Sequence, residues 1–276
     1  MIDLHLHTTA SDGLCAPGRL VEEAAAAGLT TIAVTDHDTV AGLAPAAERC
    51  AAAGLGFVPG IEITAVGFGR DVHVLGYFFD AGDPALLAFL AQQRESRFAR
   101  LTAIAGRLAA LGVHVDVAPL IAEARRQGGR SVGRPQVARA LVAAGHAADT
   151  NDAFERWLGV GRPGFVPRSG APPGDVIEVI HRAGGLASLA HPGVTAVDAR
   201  IPALVAAGLD AIEAYHSDHD AAACGRYLAL ARTHGLLVTG GSDYHGDPAH
   251  GLAPGAVTLP APEWEKLSAW PRRSSR

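Results

Sequence analysis

Asp3-Leu4-His5-Leu6-His7-Thr8-Thr9 decides how the rest of the chain is read. Met1 to His7 alternates apolar and polar residues, the pattern of a strand whose odd-numbered side chains share one face. Asp3, His5 and His7 are therefore expected to point the same way. Two imidazoles two residues apart make a poor core, because each buried ring needs partners for both nitrogens. A divalent metal would supply one such partner. A polar strand end capped by water is the other reading, and this stretch alone does not choose between them.

The surrounding chain has 276 residues and is 49% hydrophobic, enough to bury one barrel-sized domain or two smaller ones. Its net charge of −5, from 23 basic and 28 acidic residues, provides no global positive field for duplex nucleic acid. A small anionic substrate remains compatible, since charge near a site matters more than the sum. Cys15, Cys50 and Cys224 are too few and too far apart for a disulfide framework or a thiolate zinc site, which fits a reducing cytoplasm. The first residues carry neither a basic leader nor a long apolar run, so a cytoplasmic location with no membrane span is expected.

From residue 1 to about 80, short apolar strands alternate with helices. Strands are expected at Ile2 to His7, Thr30 to Asp36, Phe57 to Thr64 and Asp71 to Phe79, with helices at Pro17 to Ala27 and Val40 to Ala53. This alternation predicts βαβ units and a mostly parallel sheet. Between about Asp83 and Arg168 the spacing is helical throughout. The β/α alternation then resumes, with strands at Leu186 to Ala190, Ala211 to Tyr215 and Leu236 to Gly240, and helices at Pro173 to Ala183, Ile201 to Ala207 and Ala221 to His234. About seven strands favour a closed or nearly closed barrel over an open sheet. The expected division is a barrel from residues 1–82 and 169–270, interrupted by a helical insertion at 83–168, with a disordered tail from Pro271.

Ionisable residues cluster where strands meet the following turns. His5 and His7 lie on the first strand and Asp12 in the turn after it; Asp36-His37-Asp38 follows the second strand. Glu62 ends the third and His73 lies on the fourth. His191, Glu213 with His216, and Asp243-Tyr244-His245 follow the later strands. In parallel α/β folds these turns converge at the carboxyl ends of the strands, where active sites are built. So many potential ligands at one end point to a polynuclear metal site. Some have plainer readings: Asp36 and Asp38 could be helix N-caps, and His216 and His219, in the polar YHSDHD stretch, could be solvated or could stand behind the ligands. His114, His146, His181, His234 and His250 have no strand-end placement and read as surface residues.

The ordered motifs DLHLHT, TDHDT, PGIE, HVLGY, AHP and GSDYH resemble those of the PHP (polymerase and histidinol phosphatase) family of metal-dependent phosphoesterases, over nearly the whole chain outside the helical segment. The resemblance implies a distorted (β/α)7 barrel with a helical insertion, holding two to three divalent metals. It implies one ion on His5, His7, Glu62 and Asp243, a second on Glu62, His73 and His191, and a third on Asp12, His37 and His245. Glu62 would bridge the first two, and Asp243, His191 and Glu62 would be the catalytic residues. Many relatives have His where this chain has Asp12, which would make the third site weaker or suited to a harder metal.

Nitrogen and oxygen donors without thiolate suit manganese first, with iron or zinc also acceptable, and disfavour calcium. Six neutral imidazoles and three carboxylates carry −3 against +6 from three divalent ions, so the loaded pocket would attract phosphate. The pattern also resembles members that remove the 3′-phosphate of nucleoside 3′,5′-bisphosphates, some of which trim short oligoribonucleotides from the 5′ end. Ser131-Val-Gly-Arg134-Pro135, at a helix start, offers a guanidinium and free N–H groups for a second phosphate, with Arg168 and His219 as further substrate contacts. The expected partners are a small anionic nucleotide and short single-stranded RNA, not duplex nucleic acid or a membrane. Histidinol-phosphate hydrolysis, C–N bond hydrolysis and a non-catalytic metal-binding domain are the competing functions.

Overall fold

The strand-forming runs assemble into one seven-stranded sheet. In the computed structural model, which describes residues 1–247 and 252–271, the strand order follows the chain: β1 (Ile2–Asp3), β2 (Thr31–Val34), β3 (Gly56–Gly67), β4 (Arg70–Tyr77), β5 (Leu186–Leu189), β6 (Ala211–Tyr215) and β7 (Leu237–Gly240). His250 and the tail residues 272–276 lie outside the described residues. The sheet nearly closes on itself. Leu4 N donates to Gly240 O at 3.2 Å, His7 N donates to Tyr244 O at 2.9 Å, and Leu6 bridges Tyr244. Together with the alternating helices this makes a distorted (β/α)7-type barrel.

Two expectations need correction. The first strand does not run as regular ladder to His7: only Ile2 and Asp3 pair in register with β2, and beyond them Leu4 N and His7 N donate to the β7 side while Leu6 O still accepts from Thr35 N at 2.8 Å. The sheet is also less parallel than the alternation implied, since β4 is antiparallel to both β3 and β5. A two-residue turn at Phe68-Gly69, with φ of 56° and 79°, joins β3 directly to β4. Positive φ at both central residues is the geometry that matches the twist of a tight hairpin. The reversal has a functional consequence: it brings the start of β4, with His73, to the end of the barrel where β3 carries Glu62 and Thr64.

Helices α1 (Pro17–Ala26) and α2 (Leu43–Ala53) pack outside β1 to β3. The first opens on proline, whose missing N–H costs nothing in a first turn, and the second stops at left-handed Gly54. After β4, α3 (Pro84–Ala109) is capped by Asp83, whose side chain accepts from Leu86 N at 2.8 Å. Next come α4 (Ala118–Arg126), α5 (Arg134–Ala143), α6 (Thr150–Ala153) and a π-turn at Phe154–Leu158. Leu101, Ile104, Leu108, Val137, Leu141 and Leu158 form a core here separate from the barrel's. The barrel helices then resume with α7 (Pro173–Arg182), α8 (Pro192–Thr195), α9 (Ile201–Ala206) and α10 (Ala221–His234). A last helix not anticipated from the pattern, α11 (Ala261–Ser268), packs against β7. His181, read as a surface residue, is half-buried and contacts Asp210 at 2.7 Å, which ties α7 to the start of β6. No described helix is long and apolar enough to cross a membrane.

Within the barrel, alternation sends Ile61 and Ile63 to one side of β3 and Glu62 to the other. Each fully buried aliphatic side chain of this kind contributes about 1.5–3 kcal/mol, which anchors the strand that holds the carboxylate. Closure depends on a glycine. A Cβ on Gly241 would lie 2.4 Å from His5 N and 2.7 Å from Asp3 Oδ1, both in the rigid β1 segment. Gly241→Ala is therefore expected to lower stability by about 1–3 kcal/mol, the range for overpacking a tight core, as measured by denaturant unfolding. An unchanged unfolding midpoint would mean that the β1 and β7 ends are not in close contact.

Candidate metal centre and anion pocket

Three of the non-glycine residues with positive φ belong to this end of the barrel: Asp38 (51°) after β2, His191 (25°) after β5 and Asp243 (54°) after β7. Such conformations cost of order 1–3 kcal/mol and persist only where the surroundings impose them. Here each turns a side chain sharply toward the barrel mouth. His191 N donates to Glu213 Oε2 at 2.8 Å, which holds that turn in place.

Glu62 lies at the centre of this end and is 1% exposed. Its two oxygens face different neighbours. Oε2 lies 3.3 Å from His5 Nε2, 3.2 Å from His7 Nε2 and 3.1 Å from His37 Nδ1. Oε1 lies 2.6 Å from His73 Nδ1 and 3.0 Å from His191 Nε2. Asp243 Oδ1 completes the first group at 3.2 Å from His5 Nε2 and 3.0 Å from His7 Nε2. On the other side of His7, Asp12 lies 3.4 Å from His245 Nε2 and 3.6 Å from His37 Nε2. The structure thus brings His5, His7, Asp12, His37, Glu62, His73, His191, Asp243 and His245 into one contiguous cluster. Among the described residues, four overlapping groups are tight enough to hold an ion: His7, Asp12, His37 and His245; His5, His7, Glu62 and Asp243; His5, Glu213 and His216; and His37, Glu62 and His73, with His191 beside the last through Glu62.

The donor set fits divalent metals. His7 Nδ1 and Nε2, His37 Nδ1, His191 Nδ1, His216 Nε2 and Asp243 Oδ1 are all buried without a hydrogen-bond partner, which is costly unless something else engages them. Separations of 3.0–3.3 Å in the group of His5, His7, Glu62 and Asp243 are close to those of ligands about 2.0–2.2 Å from a shared ion.

Behind these donors stands a supporting layer. His5 Nδ1 donates to Glu213 Oε1 at 2.9 Å, which directs the Nε2 lone pair at the cluster, as orienting carboxylates do for metal-ligating histidines. His216 is buried. Its Nδ1 accepts from Asp218 N at 3.0 Å, so Nε2 carries the proton and faces Asp243 Oδ2 at 3.4 Å. His219 is occupied by backbone: Nδ1 donates to Ala214 O and Nε2 accepts from Gly193 N. Neither Asp36 nor Asp38 caps a helix. Asp36 accepts from Thr8 N, Thr8 Oγ1 and Ser11 Oγ and so fixes the turn leading to Asp12. Asp38 Oδ2 accepts from Arg97 Nε at 2.5 Å and Arg168 Nη2 at 2.7 Å.

That last pair opens a feature of which the sequence pointed to Arg134 and Arg168 but not to Arg97 and Arg100. Beside His37 and His73, a cavity of 130 Å³ is walled by Arg97, Arg100, Arg134 and Arg168. The acids that line it are Asp12 and Asp71, the latter 3.5 Å from Arg100 and 3.9 Å from Arg134; Asp38, outside the lining, is already held by Arg97 and Arg168. Arg100 Nη2 and Arg168 Nε are buried without hydrogen-bond partners, and burial followed by the neighbouring Arg134 pushes the Arg100 guanidinium down to about 10. This is a cation cluster with too few anions. Ser131 lies elsewhere: it is buried, and its N–H donates to Ala10 O at 2.8 Å, joining the insertion to the Asp12 turn. Arg97 and Arg100 could have been found, since they interrupt the apolar stripe Leu86, Leu90, Leu101, Ile104 of α3.

Residues 3–126 match the PHP domain model. The chain is 35% identical over 280 residues to the 3′,5′-nucleoside bisphosphate phosphatase of Chromobacterium violaceum, covering 97% of this chain and 96% of that protein. The chain belongs to the PHP family. It is a metal-dependent phosphoesterase of that family, and its named relatives differ in substrate. The 5′-3′ exoribonuclease Rnm of Escherichia coli strain K12 is 39% identical over 250 residues, with 88% of this chain and 84% of the relative covered. Among solved structures, an amidohydrolase from Chromobacterium violaceum with bound sulfate and no metal superposes with a TM-score of 0.85 at 33% identity, over 97% of this chain and 96% of that one.

Protonation of the PHP cluster sets a pH dependence. Burial opposes charge on His7, but Asp243 and Glu62 outweigh it and raise its pKa to about 10. His5 is raised well above the usual value in the same way, with burial again overcome by Asp243, Glu213 and Glu62. His37, buried and next to a charged His7, is instead pushed down to about 3. At neutral pH the empty cluster therefore holds protons on His5 and His7 that an incoming ion must displace. Metal uptake by the apoprotein should release protons and tighten as pH rises from about 6 to 8. Calorimetric titrations with Mn²⁺ in buffers of different ionisation enthalpy measure both; pH-independent affinity without proton release would contradict the protonated apo cluster.

Proposed function

We propose that this PHP chain hydrolyses the 3′-phosphate of nucleoside 3′,5′-bisphosphates such as adenosine 3′,5′-bisphosphate, giving the 5′-monophosphate and phosphate. The same site would trim short single-stranded RNA from the 5′ end. The observation that carries this reading is the four-arginine cavity opening directly on the His/Asp/Glu cluster. One phosphate at the cluster and a second among the arginines matches a substrate with two phosphates on one ribose. The names of the Chromobacterium violaceum and Escherichia coli relatives support the same choice.

In this reading one ion is held by His5, His7, Glu62 and Asp243, a second by Glu62, His73 and His191, and a third by Asp12, His37 and His245. Manganese is the preferred metal. Divalent ions held there would lower the pKa of the attacking water and neutralise the phosphoryl oxygens. The protein's own contribution is position. Glu213 and His216 keep His5 and Asp243 aimed inward, and His191 and Asp243 are fixed by their strained turns. Helices of the segment 83–168 act as a cap that brings the arginines over the barrel mouth. Arg134 stacks near Phe154 and Phe165, with its guanidinium carbon 5.8 and 6.0 Å from the ring centres, which limits its freedom before it binds the 5′-phosphate. The free cysteines support a cytoplasmic setting.

A contact to a remote, non-reacting phosphate should act selectively on the substrate that carries it. A charge-assisted contact of about 1.5–3 kcal/mol predicts that Arg134→Ala lowers kcat/KM for adenosine 3′,5′-bisphosphate by about 10- to 150-fold. Hydrolysis of p-nitrophenyl phosphate should barely change. Equal loss on both substrates would contradict the clamp, and no turnover of any bisphosphate by the wild type would contradict the substrate class.

A further inference from the structure

A second cavity, of 290 Å³, lies on the other flank of the cluster. It shares Asp12, Pro135 and Phe154 with the arginine cavity, but is bordered by Asp243 and His245 where that one is bordered by His37 and His73. Resting on the bisphosphate reading above, we infer that this cavity binds the nucleotide following the scissile bond when the substrate is an oligonucleotide.

Geometry gives the first argument. With the 5′-phosphate among the arginines and the 3′-phosphorus over the cluster, the first nucleotide occupies the His37 and His73 flank. The remaining phosphorus substituent is a bare oxygen in a bisphosphate and the 5′-oxygen of the next nucleoside in RNA. It must leave toward the other flank, where the larger cavity lies. Chemistry gives the second. Leu14, Phe154 and Leu252 offer apolar surface for a base or ribose face, and Thr150 and Asn151 offer hydrogen-bonding groups. Arg139, half-buried on α5 with a 3.4 Å contact to Asp12 O, brings a cation to a wall that also carries Asp218 and Asp247, and it is the group there that can meet the next phosphodiester. A volume of 290 Å³ is at the lower end for a small-molecule pocket, so it fits one nucleotide and not a longer strand.

Water attacks phosphorus, the P–O3′ bond breaks, and the 3′-oxygen of the first nucleotide takes up a proton. The phosphate stays on the 5′-oxygen of the second nucleotide. The shortened strand therefore emerges with a 5′-phosphate, the group the arginine cavity recognises, and is ready for another round. This gives the trimming a 5′ to 3′ direction.

The test compares kcat/KM for adenosine 3′,5′-bisphosphate with those for 5′-phosphorylated ApA and ApApA, in the metal-loaded wild type, Arg139→Ala, Asn151→Trp and Arg134→Ala. Arg139→Ala, by removing the cation, and Asn151→Trp, by filling the cavity, should each lower kcat/KM for the dinucleotide about tenfold more than for the bisphosphate. The trinucleotide should show no larger effect than the dinucleotide. Equal losses on the bisphosphate and dinucleotide would place the first nucleoside in this cavity and overturn the inference. So would a wild type that hydrolyses the bisphosphate but not the dinucleotide, or two variants without effect on either. Arg134→Ala monitors the underlying reading: it should weaken all three substrates, and an Arg134→Ala enzyme unchanged on the bisphosphate would refute that reading instead.

Discussion

A carboxylate as buried as Glu62 must be matched by positive charge, because an unpaired ion in the interior costs several kcal/mol. Burial by itself pushes the Glu62 pKa up, yet the imidazoles of His37, His73 and His5 more than offset this and hold it well below the usual carboxylate range. The rest of the barrel mouth follows from that balance. Residues 4–7, held between the end of β2 and the β7 side, bring His5 and His7 to one oxygen, β4 runs backwards so that His73 reaches the other, and His191 accepts a left-handed backbone to join it. Imidazoles on both sides of one buried carboxylate form an arrangement suited to metals, since protons alone leave several of the ring nitrogens without partners.

A second buried carboxylate, Asp38, links this site to the helical segment. Burial would raise its pKa, but Arg97 and Arg168 reverse the shift and keep it ionised. Arg97 comes from α3 and Arg168 from the segment leading back to the barrel, so one aspartate after β2 holds both arginines at the cavity wall. Gln93 Nε2 donating to Thr64 O and Gln136 Nε2 donating to Ser11 O fasten the same helices to the strand ends. The arginine cavity is therefore built by the contact between the two cores and belongs to neither alone.

Much of this is legible in the amino-acid sequence alone. Ala211–Tyr215 and Ala221–His234 fold with the expected bounds, because β-branched or apolar runs and an Asp-capped, Gly-ended helix are local signals. Strand direction is not legible at β4: periodicity carries no direction, and Phe68-Gly69 lacks the Asn-Gly or Asp-Gly pair that marks a tight hairpin. The strand-end histidines and acids stand out because polar residues interrupt apolar runs. Glu213 and His216 give a weaker signal, since a residue behind a ligand looks like any other polar residue at a strand end. The arginine wall is only partly visible. Arg134 follows a glycine at a helix start, whereas Arg97 and Arg100 give a fainter signal, as charges interrupting the apolar stripe of α3.

The central claim is that the two oxygens of Glu62 serve two ions, with the arginine cavity fixing which phosphate they meet. The most direct measurement is an anomalous-scattering crystal structure of the Mn²⁺-loaded protein with adenosine 3′,5′-bisphosphate bound under conditions that block turnover. The account predicts anomalous peaks on both sides of Glu62, one among His5, His7 and Asp243 and one between His73 and His191, with the 3′-phosphate on them and the 5′-phosphate against Arg134. A single ion held by Glu62 through one oxygen, or a 5′-phosphate on the metals with the arginines empty, would contradict it.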